Sequence, residues 1–375
     1  MTTPALQGVK VLDLSRVLAG PICTMMLGDL GANVLKVERP GTGDETRGWG
    51  PPFDPDGQSA YFLSVNRNKL SIALDFSRQA DLALILALLA EADVVIDNFL
   101  PGVLARYGID KAAQLARHVE LIWCTISGFG AASSRPGYDF VVQAESGWMS
   151  VTGEVRGAPM KTGVALVDVM TGKDAAIAIL AALVGQRMGV AVQRELDISL
   201  AGTAAAALVN VAQNTLVSGE EARRWGNAHA NLVPYQLFDA ADRPMVIAVG
   251  SDAQWRALAR VLELGSVGDD PELATNAGRL ARREEIVTAI AENLQAHPAT
   301  FWMTRLTEAG VPCGLVRTVR EALVNVEVSA KTGVAPATGG QLRYAPPVID
   351  AHGELVRKFR WSAFDHVPIL SHRGL

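Results

Sequence analysis

Residues 9–38 read VKVLDLSRVLAGPICTMMLGDLGANVLKVE and decide the fold class. An apolar run at 9–14 predicts a strand, and a second run at 33–38 predicts another. Between them, Pro21 opens a stretch at 21–30 that predicts a helix, since proline is tolerated in the first helical turn. A strand, a helix and a second strand in this order form a βαβ unit, which joins two parallel strands.

The same alternation continues along the first third of the chain. It predicts helices at 79–91 and 110–117 and strands at 94–97 and 121–127. Repeated alternation of this kind is typical of a doubly wound parallel sheet with helices on both faces. The sequence therefore predicts an α/β fold.

The composition favours a globular protein that acts on small molecules. The chain has 375 residues, of which 49% are hydrophobic and 19% charged, and this excludes a disordered protein and predicts two domains. Its net charge is −5 and it has no basic block, so we expect neither nucleic acid nor a membrane surface as a partner. Since no leader-like segment or membrane span is evident, we expect a cytoplasmic protein.

A change in composition marks a domain boundary. From Arg223 the alanine-rich chain turns to RRWGNAHANLVPYQLF, and a second α/β segment follows with strands at 245–249 and 313–316. Its last helix is expected to have Thr300 as N-cap and Gly310 just after its end. We predict a large domain at 1–222, a small domain at 223–326 and a segment at 327–375 that returns to the large domain, because its apolar patches are too small for a core.

Two stretches, 168–186 and 199–218, predict long helices that carry almost no charge. Helices that are polar on neither face pack inside a large domain or against another subunit. This pattern favours an oligomer.

The cysteines and histidines do not form a metal-binding pattern. Cys23, Cys124 and Cys313 are far apart in apolar surroundings, and the histidines show no HExxH motif or i,i+4 pair. We predict buried structural thiols and no metal site.

The first βαβ unit lacks the fingerprint of a dinucleotide site. Its turn, SRVLAGPIC, contains one glycine, Gly20, although Glu38 ends the second strand where such sites place a ribose-binding acid. The next residue, Arg39, suits a ligand with an extra phosphate, such as NADP or the 3′-phosphate of coenzyme A. A solvated arginine at a strand end is the alternative.

One carboxylate lies inside an apolar run. Residues 164–172 read VALVDVMTG, and Asp168 stands just before a predicted helix. An aspartate at such a junction is often an N-cap. Alternatively, a partly desolvated carboxylate can attack an activated acyl carbon and form a covalent intermediate. The residues alone leave both interpretations open.

Two glycine-containing loops are further candidates. Residues 127–137 lead into Tyr138 and Asp139 and either wrap a ligand or form an ordinary turn. Residues 41–52, GTGDETRGWGPP, combine Arg47, which can pair with a carboxylate, with the apolar face of Trp49. A surface loop is the alternative for this segment.

Taken in order, these segments resemble the class III coenzyme A transferases, the family of formyl-CoA transferase and carnitine CoA-transferase. The resemblance rests on LQGVKVLDLSRVLAGP, LGANVLKVERPGTGDETRGWGPP, YFLSVNRNKLSIALDF, ADVVIDNFLPGVLARYGID, the Gly-Tyr-Asp loop, VALVDVMTG and GNAHANLVPYQLF. It implies an interlaced homodimer of two ring-shaped subunits. Each would have a Rossmann-like large domain built from both chain ends and a smaller α/β domain between them.

The resemblance also implies site residues. Asp168 matches the catalytic nucleophile, and no cofactor is tightly bound, because the coenzyme A thioester is itself a substrate. We expect Arg47 to pair with a distal carboxylate of the acceptor, Trp49 to form an apolar wall, and the backbone near Gly137 and Gly250 to contact the substrate. The implied contacts to coenzyme A are Val17, Leu18, Ala19, Arg39, Leu74, Asn98, Phe99, Arg106, Tyr107 and Tyr138.

SVNRNK, EARRWGNAH and LVPYQLF resemble the branch that moves coenzyme A among dicarboxylates. This implies transfer from an acyl-CoA, succinyl-CoA, to a dicarboxylic acid through aspartyl-anhydride and aspartyl-CoA intermediates. A 2-methylacyl-CoA racemase and a non-catalytic acyl-CoA binder are the alternatives. The related racemases have a histidine where this chain has Tyr138, and a binder would have no use for Asp168.

Overall fold

The structure, a computed structural model, describes residues 4–325 and 348–349, which form two compact units. The first unit contains residues 4–148, 161–220 and 348–349, and the second contains 149–160 and 221–325. The second unit thus includes a short segment that lies far upstream of the composition change at Arg223. Apart from 348–349, the predicted C-terminal segment at 327–375 lies outside the described residues.

The described strands and helices follow the alternation of the sequence. The strands are β1 (Lys10–Asp13), β2 (Asn33–Glu38), β3 (Lys69–Ala73), β4 (Val94–Asp97), β5 (Ile122–Ser127), β6 (Glu195–Ser199), β7 (Tyr235–Asp239), β8 (Pro244–Ala248), β9 (Cys313–Leu315) and β10 (Val348–Ile349). The helices are α1 (Ala19–Asp29), α2 (Ala60–Val65), α3 (Gln79–Glu91), α4 (Val103–Arg106), α5 (Lys111–Arg117), α6 (Asp139–Glu145), α7 (Trp148–Val151), α8 (Leu166–Arg187), α9 (Leu200–Ala206), α10 (Val209–Ser218), α11 (Asp252–Val261), α12 (Gly265–Asp269), α13 (Asn276–Ala281), α14 (Arg283–Leu294), α15 (Ala299–Glu308) and α16 (Val319–Asn325).

The first unit is built on a parallel sheet, as the βαβ pattern predicts. Its strand order is β10-β3-β2-β1-β4-β5-β6, and each neighbouring pair is parallel. Because all strands run the same way, the connections that leave their carboxyl ends lie along one edge. That edge of an open parallel sheet is where ligands bind.

Side chains of the central strands alternate between two cores. Val11 of β1 packs into a core with residues of α1 and α8, whereas its neighbour Leu12 packs on the opposite face with residues of α3 and α5. This period of two follows from strand geometry. Helices therefore cover both faces of the sheet.

The helices α1 and α8 approach each other closely at a glycine. A Cβ atom on Gly172 would lie 2.6 Å from the carbonyl oxygen of Ala19 and 3.0 Å from the Cβ of Ile22. Only glycine permits this contact. It keeps the first turns of α8 against the segment that follows β1.

The second unit contains an antiparallel sheet in the order β7-β8-β9. Its core is a separate cluster that includes Met245 and Ile247 of β8, Leu258 of α11 and Ile290 of α14. This core is independent of the cores of the first unit.

Two details differ from the sequence predictions, and a third agrees with them. The expected helix at 199–218 is broken into α9 and α10, which are bent by 69°, and Val209 at the break has a φ of +35°. Thr300 is not an N-cap, because α15 begins one residue earlier with Pro298 in the cap position. Gly310, with a φ of +73°, does follow the end of that helix as predicted.

Within residues 4–325 and 348–349, no single helix is long and apolar enough to cross a membrane. Of the described helices, only α9 and α10 taken together have the length and apolar composition of a membrane span, and these two helices are bent by 69° at the break between them.

Candidate active site

Asp168 lies in the first turn of α8 and not at its cap position. The N-cap residue is Ala165, which makes no capping bond through its side chain. Among the described residues, the Asp168 carboxylate has no hydrogen-bond or ion-pair partner. The N-cap interpretation is therefore wrong for this aspartate, and its carboxylate is available for chemistry.

Asp139 provides the cap of α8 from a distant part of the sequence. Its Oδ1 accepts the backbone N–H of Val167 at 2.8 Å and that of Asp168 at 3.2 Å. Its Oδ2 accepts a hydrogen bond from the side chain of Gln143, and the Asp139 side chain is buried. A carboxylate at a helix N-terminus satisfies free N–H groups and favours the helix dipole. This bond joins the Gly-Tyr-Asp loop to the backbone of Asp168.

The surroundings of Asp168 disfavour its charged form. Burial raises the pKa of Asp168 to about 7, and the negative charge of Asp139 adds to this effect. A carboxylate with a pKa this high is poorly solvated when it ionises, which makes it a better nucleophile. Such shifts are typical of functional groups.

An apolar cluster surrounds the start of α8. Buried Leu18 is part of it, with Ala165 and Val169 of the Asp168 segment packed nearby. Tyr61 of α2 packs into the same cluster, and its ring meets that of Trp49 edge to face, with centroids 5.1 Å apart. The predicted residues Leu18 and Trp49 are thus joined to the Asp168 segment by Tyr61.

Tyr61 was not found by sequence reasoning. Burial raises the pKa of Tyr61 to about 12, and the negative charge of Asp168 is the next largest cause. The phenol is therefore protonated at neutral pH and lies within electrostatic reach of Asp168. The available signal is the N-cap Ser59 before an apolar helix, which locates α2 but not its packing partners.

Arg47 has a partner within the chain. Its Nε and Nη2 bind the two carboxylate oxygens of Glu38 at 2.6 and 2.7 Å, and its guanidinium lies 3.8 Å from the ring centroid of Phe62. A two-pronged ion pair of this kind uses the charge and the geometry of the guanidinium. Arg47 is therefore already paired with Glu38, and it is not free to bind the distal carboxylate of an acceptor as expected.

A cleft of about 490 Å³ lies at the carboxyl ends of β1 to β4. Of the predicted coenzyme A contacts, it brings together Arg39, Leu74, Phe99 and Tyr107. Arg39 is exposed and has no ion-pair partner among the described residues. Arg106, also predicted, is exposed on α4 but does not line this cleft.

Arg16 is a second cation of the cleft that sequence reasoning missed. Its Nη1 pairs with Glu45, while its buried Nε has no hydrogen-bond partner among the described residues. A buried donor without a partner is costly and calls for an explanation, such as a bound ligand. The sequence feature that could have identified Arg16 is its position in the turn SRVLAGP, next to the predicted contact Val17.

The predicted residues Val17 and Leu18 lie in the connection between β1 and α1, and Ala19 is the first residue of α1. Asn98 holds this connection through two bonds with Arg16, accepting its N–H at 3.0 Å and donating to its carbonyl at 2.8 Å. Val17 has a φ of +71°, in the left-handed region that valine rarely adopts. Asn98 therefore positions the connection through hydrogen bonds to its backbone.

The three remaining predicted residues lie in two different places. Tyr138 is exposed at the N-terminus of α6, and Gly137 packs so closely on Gly128 that a Cβ atom would lie 2.4 Å from the Gly128 Cα. Gly250 belongs to the second unit, where its N–H donates to the Gln254 side chain at 2.8 Å. The Gly250 N–H is thus engaged within its own unit.

The described residues contain no group of three or more His, Cys, Asp or Glu side chains that suits a metal ion. Burial raises the pKa of Cys124 to about 12 and that of Cys23 well above its ordinary value. These two cysteines therefore remain thiols at neutral pH.

Comparison with known proteins shows which family the chain belongs to. The model of CoA-transferase family III matches residues 6–357. The chain is 40% identical to a succinate–glutarate CoA-transferase of Agrobacterium fabrum, over 88% of this chain and 84% of that protein. It is also 40% identical to the succinyl-CoA:glutarate CoA-transferase of Homo sapiens, over 86% and 74% of the two chains. A CAIB/BAIF family protein from Brucella suis has a similar structure, with a TM-score of 0.77, 40% identity and 87% coverage of both chains. The chain therefore belongs to CoA-transferase family III.

Proposed function

We propose that this CoA-transferase moves coenzyme A from succinyl-CoA to a dicarboxylic acid and that Asp168 carries the acyl group. The observation that carries the proposal is the Asp168 carboxylate, which has no partner among the described residues and lies against an apolar cluster. The names of the relatives from Agrobacterium fabrum and Homo sapiens, both 40% identical, support succinyl-CoA and glutarate as the substrate pair to test first.

In the first half of the proposed reaction, the Asp168 carboxylate attacks the thioester carbon of succinyl-CoA. The carbon–sulfur bond breaks, the thiolate leaves, and a mixed anhydride of Asp168 and succinate forms. The thiolate then attacks the aspartyl carbonyl carbon, which releases succinate and leaves an aspartyl-CoA thioester.

In the second half, the acceptor carboxylate attacks the aspartyl-CoA thioester and releases the thiolate again. The product is a mixed anhydride of Asp168 and the acceptor. The thiolate attacks the acceptor carbonyl carbon, so that acceptor-CoA forms and Asp168 returns as a free carboxylate. One thioester is exchanged for another, and the atoms and charges balance without an added reactant.

The groups around Asp168 suit this sequence of steps. A carboxylate that accepts no hydrogen bonds has less solvation to lose when it attacks the thioester. The apolar residues around it exclude water and so protect the anhydride from hydrolysis. The cleft at the carboxyl ends of β1 to β4 offers Arg39 and Arg16 as cations for the phosphates of coenzyme A. Trp49 and Leu18 offer apolar surface for the acyl chain.

The proposed enzyme is an interlaced homodimer. Support comes from the first unit, where α8, its C-cap residue and α10 expose large apolar side chains, namely Ile177, Val184, Met188, Leu216 and Val217. Exposed apolar surface of this extent is typical of an interface.

The decisive experiment combines a substrate screen with trapping of the intermediate. Succinyl-CoA is offered with glutarate, other dicarboxylates and butyrate, and hydroxylamine is added during turnover. We expect dicarboxylates to be preferred and the peptide with Asp168 to become a hydroxamate, while the peptide with Asp174 of the same helix stays unmodified. An unmodified Asp168 under confirmed turnover would exclude the covalent route. Exchange of the α-hydrogen of a 2-methylacyl-CoA for deuterium would instead indicate a racemase.

A further inference from the structure

Two lysines are buried under the connection between β1 and α1, and the proposed reaction does not use them. Lys36 on β2 and Lys69 on β3 each have a side chain that is only 1% exposed. Lys36 pairs with Asp44 at 3.0 Å, and Lys69 pairs with Asp13 at 3.1 Å. Burying two ion pairs stabilises a fold little compared with apolar packing, so their presence calls for another reason.

Each lysine also binds a backbone carbonyl at one end of residues 15–21, which include this connection and the first turn of α1. Lys36 Nζ donates to the carbonyl oxygen of Ser15 at 2.8 Å, and Lys69 Nζ donates to that of Pro21 at 2.9 Å. The residues between these two carbonyls include the predicted coenzyme A contacts Val17, Leu18 and Ala19. The lysines therefore hold both ends of the segment.

The two carboxylates bind the same segment through N–H and hydroxyl groups. Asp44 accepts the backbone N–H of Val17 at 3.2 Å, and Asp13 accepts that of Ser15 at 3.0 Å. Asp13 also accepts the hydroxyl of Thr24 in α1 at 2.6 Å. Two charge pairs thus fix donors and acceptors along the whole connection.

The conformation that they fix is a strained one. Val17 has a φ of +71°, and a β-branched residue in this region needs its surroundings to hold it there. Its N–H is directed to Asp44, which is itself held by Lys36 and by the N–H and hydroxyl of Thr46, at 3.0 and 2.8 Å. Loss of this anchor would release the strain.

We infer that the pairs Lys36–Asp44 and Lys69–Asp13 are positioning pairs that hold residues 15–21 in the shape that receives the coenzyme A thioester. The inference rests on the proposed function, because it takes these residues as the receiving segment. It assigns a role to the lysines of NVLKVE and NRNKLSI, which the proposed chemistry leaves unused.

The test measures binding of free coenzyme A by calorimetry together with KM for donor and acceptor. We expect Lys36→Met to weaken coenzyme A binding and raise the donor KM by about tenfold or more, because the segment is no longer preorganised. The acceptor KM should change less than about twofold. The control is Lys10→Met, which makes the same change at the amino end of β1, where Lys10 pairs with Glu91. It should leave both constants unchanged.

A second variant guards against a simple failure to fold. Asp13→Asn with Lys69→Met removes both charges of a pair, so no buried charge is left unpaired. We expect it to fold and to bind coenzyme A about tenfold more weakly, as for Lys36→Met. Normal coenzyme A binding by either folded variant would overturn the inference.

A rescue experiment separates positioning from general stability. Glycine adopts a positive φ without strain, so Val17→Gly added to Lys36→Met should restore part of the lost affinity. If it restores none while the fold is intact, the segment is not positioned in this way. Wild-type protein that neither binds coenzyme A nor transfers it would instead refute the proposed function.

Discussion

Asp139 accepts the backbone N–H of Asp168 at 3.2 Å, and its negative charge also acts on the Asp168 carboxylate, the group proposed to carry the acyl chain. One group therefore fixes the backbone of the other and opposes its ionisation. Burial is the larger cause of the raised pKa of Asp168, and the charge of Asp139 is the second. These two effects can be separated by substitution.

Asp139→Asn should shift the activity profile to lower pH. The variant keeps an oxygen for the cap but loses the negative charge, so the pKa of Asp168 falls toward its ordinary value. Because the proposed reaction needs ionised Asp168, the wild-type rate should rise with pH through about 7. The measurement is kcat/KM against pH. A rising limb that does not move would contradict the electrostatic role of Asp139.

Asp168→Asn should abolish turnover and yet stabilise the fold above pH 7. The pKa of Asp168 is raised from 3.8 to about 7, so the folded state binds more protons than the unfolded state between these values. Stability is therefore lost as pH rises through this window. Asparagine has no charge to bury, so its melting temperature should exceed that of wild type by a few degrees at pH 8. Near pH 4 the two should be equal.

Asp174→Asn is the matched control for this variant. Asp174 lies two turns further along α8, where it accepts a hydrogen bond from Thr203 at 2.6 Å. This substitution should retain activity and should not raise the melting temperature at pH 8. A wild type that is more stable than Asp168→Asn at pH 8 would show that the carboxylate is not destabilised by its site.

The parallel sheet of the first unit could be predicted from residues 9–38, because the alternation of strands and helices is a local property of the sequence. The site was predicted less completely, since its contacts depend on how elements pack. Tyr61 reaches the Asp168 segment through the packing of α2, and nothing in YFLSV specifies that neighbour. The N-cap prediction for Thr300 was wrong because Pro298 precedes the helix in an extended conformation that suits the cap position equally well.

Arg47→Ala should reduce stability more than it changes substrate preference. It leaves the buried Glu38 without its two-pronged partner, and loss of one member of a buried pair costs about 3–5 kcal/mol. Adding Glu38→Gln should recover a large part of this loss. Denaturant unfolding measures the stability, and KM for glutarate and butyrate measures the preference. A rise in KM confined to glutarate would restore Arg47 as a ligand of the distal carboxylate.

Arg39→Ala should weaken binding of coenzyme A thioesters about tenfold, because a charge-assisted hydrogen bond contributes about 1.5–3 kcal/mol. Arg39 is an exposed cation of the cleft without an ion-pair partner among the described residues, which suits the 3′-phosphate. Dephospho-CoA thioesters should bind equally to the variant and to wild type. The control is Arg117→Ala, which removes an exposed arginine of α5 that does not line the cleft and should leave both affinities unchanged. If Arg39→Ala weakened binding of coenzyme A thioesters and of dephospho-CoA thioesters equally, Arg39 would not bind the 3′-phosphate.

Leu216→Glu combined with Val217→Glu should convert a dimer into monomers. These side chains of α10 are 77% and 78% exposed, which is unfavourable for large apolar groups unless another surface covers them. Glutamates at these positions would lose their hydration in an interface, which would destabilise the dimer. Light scattering coupled to size exclusion measures the mass in solution. Val119→Glu, which charges an exposed valine outside α8 to α10, should remain dimeric. A monomeric wild type at micromolar concentration would refute the proposed homodimer.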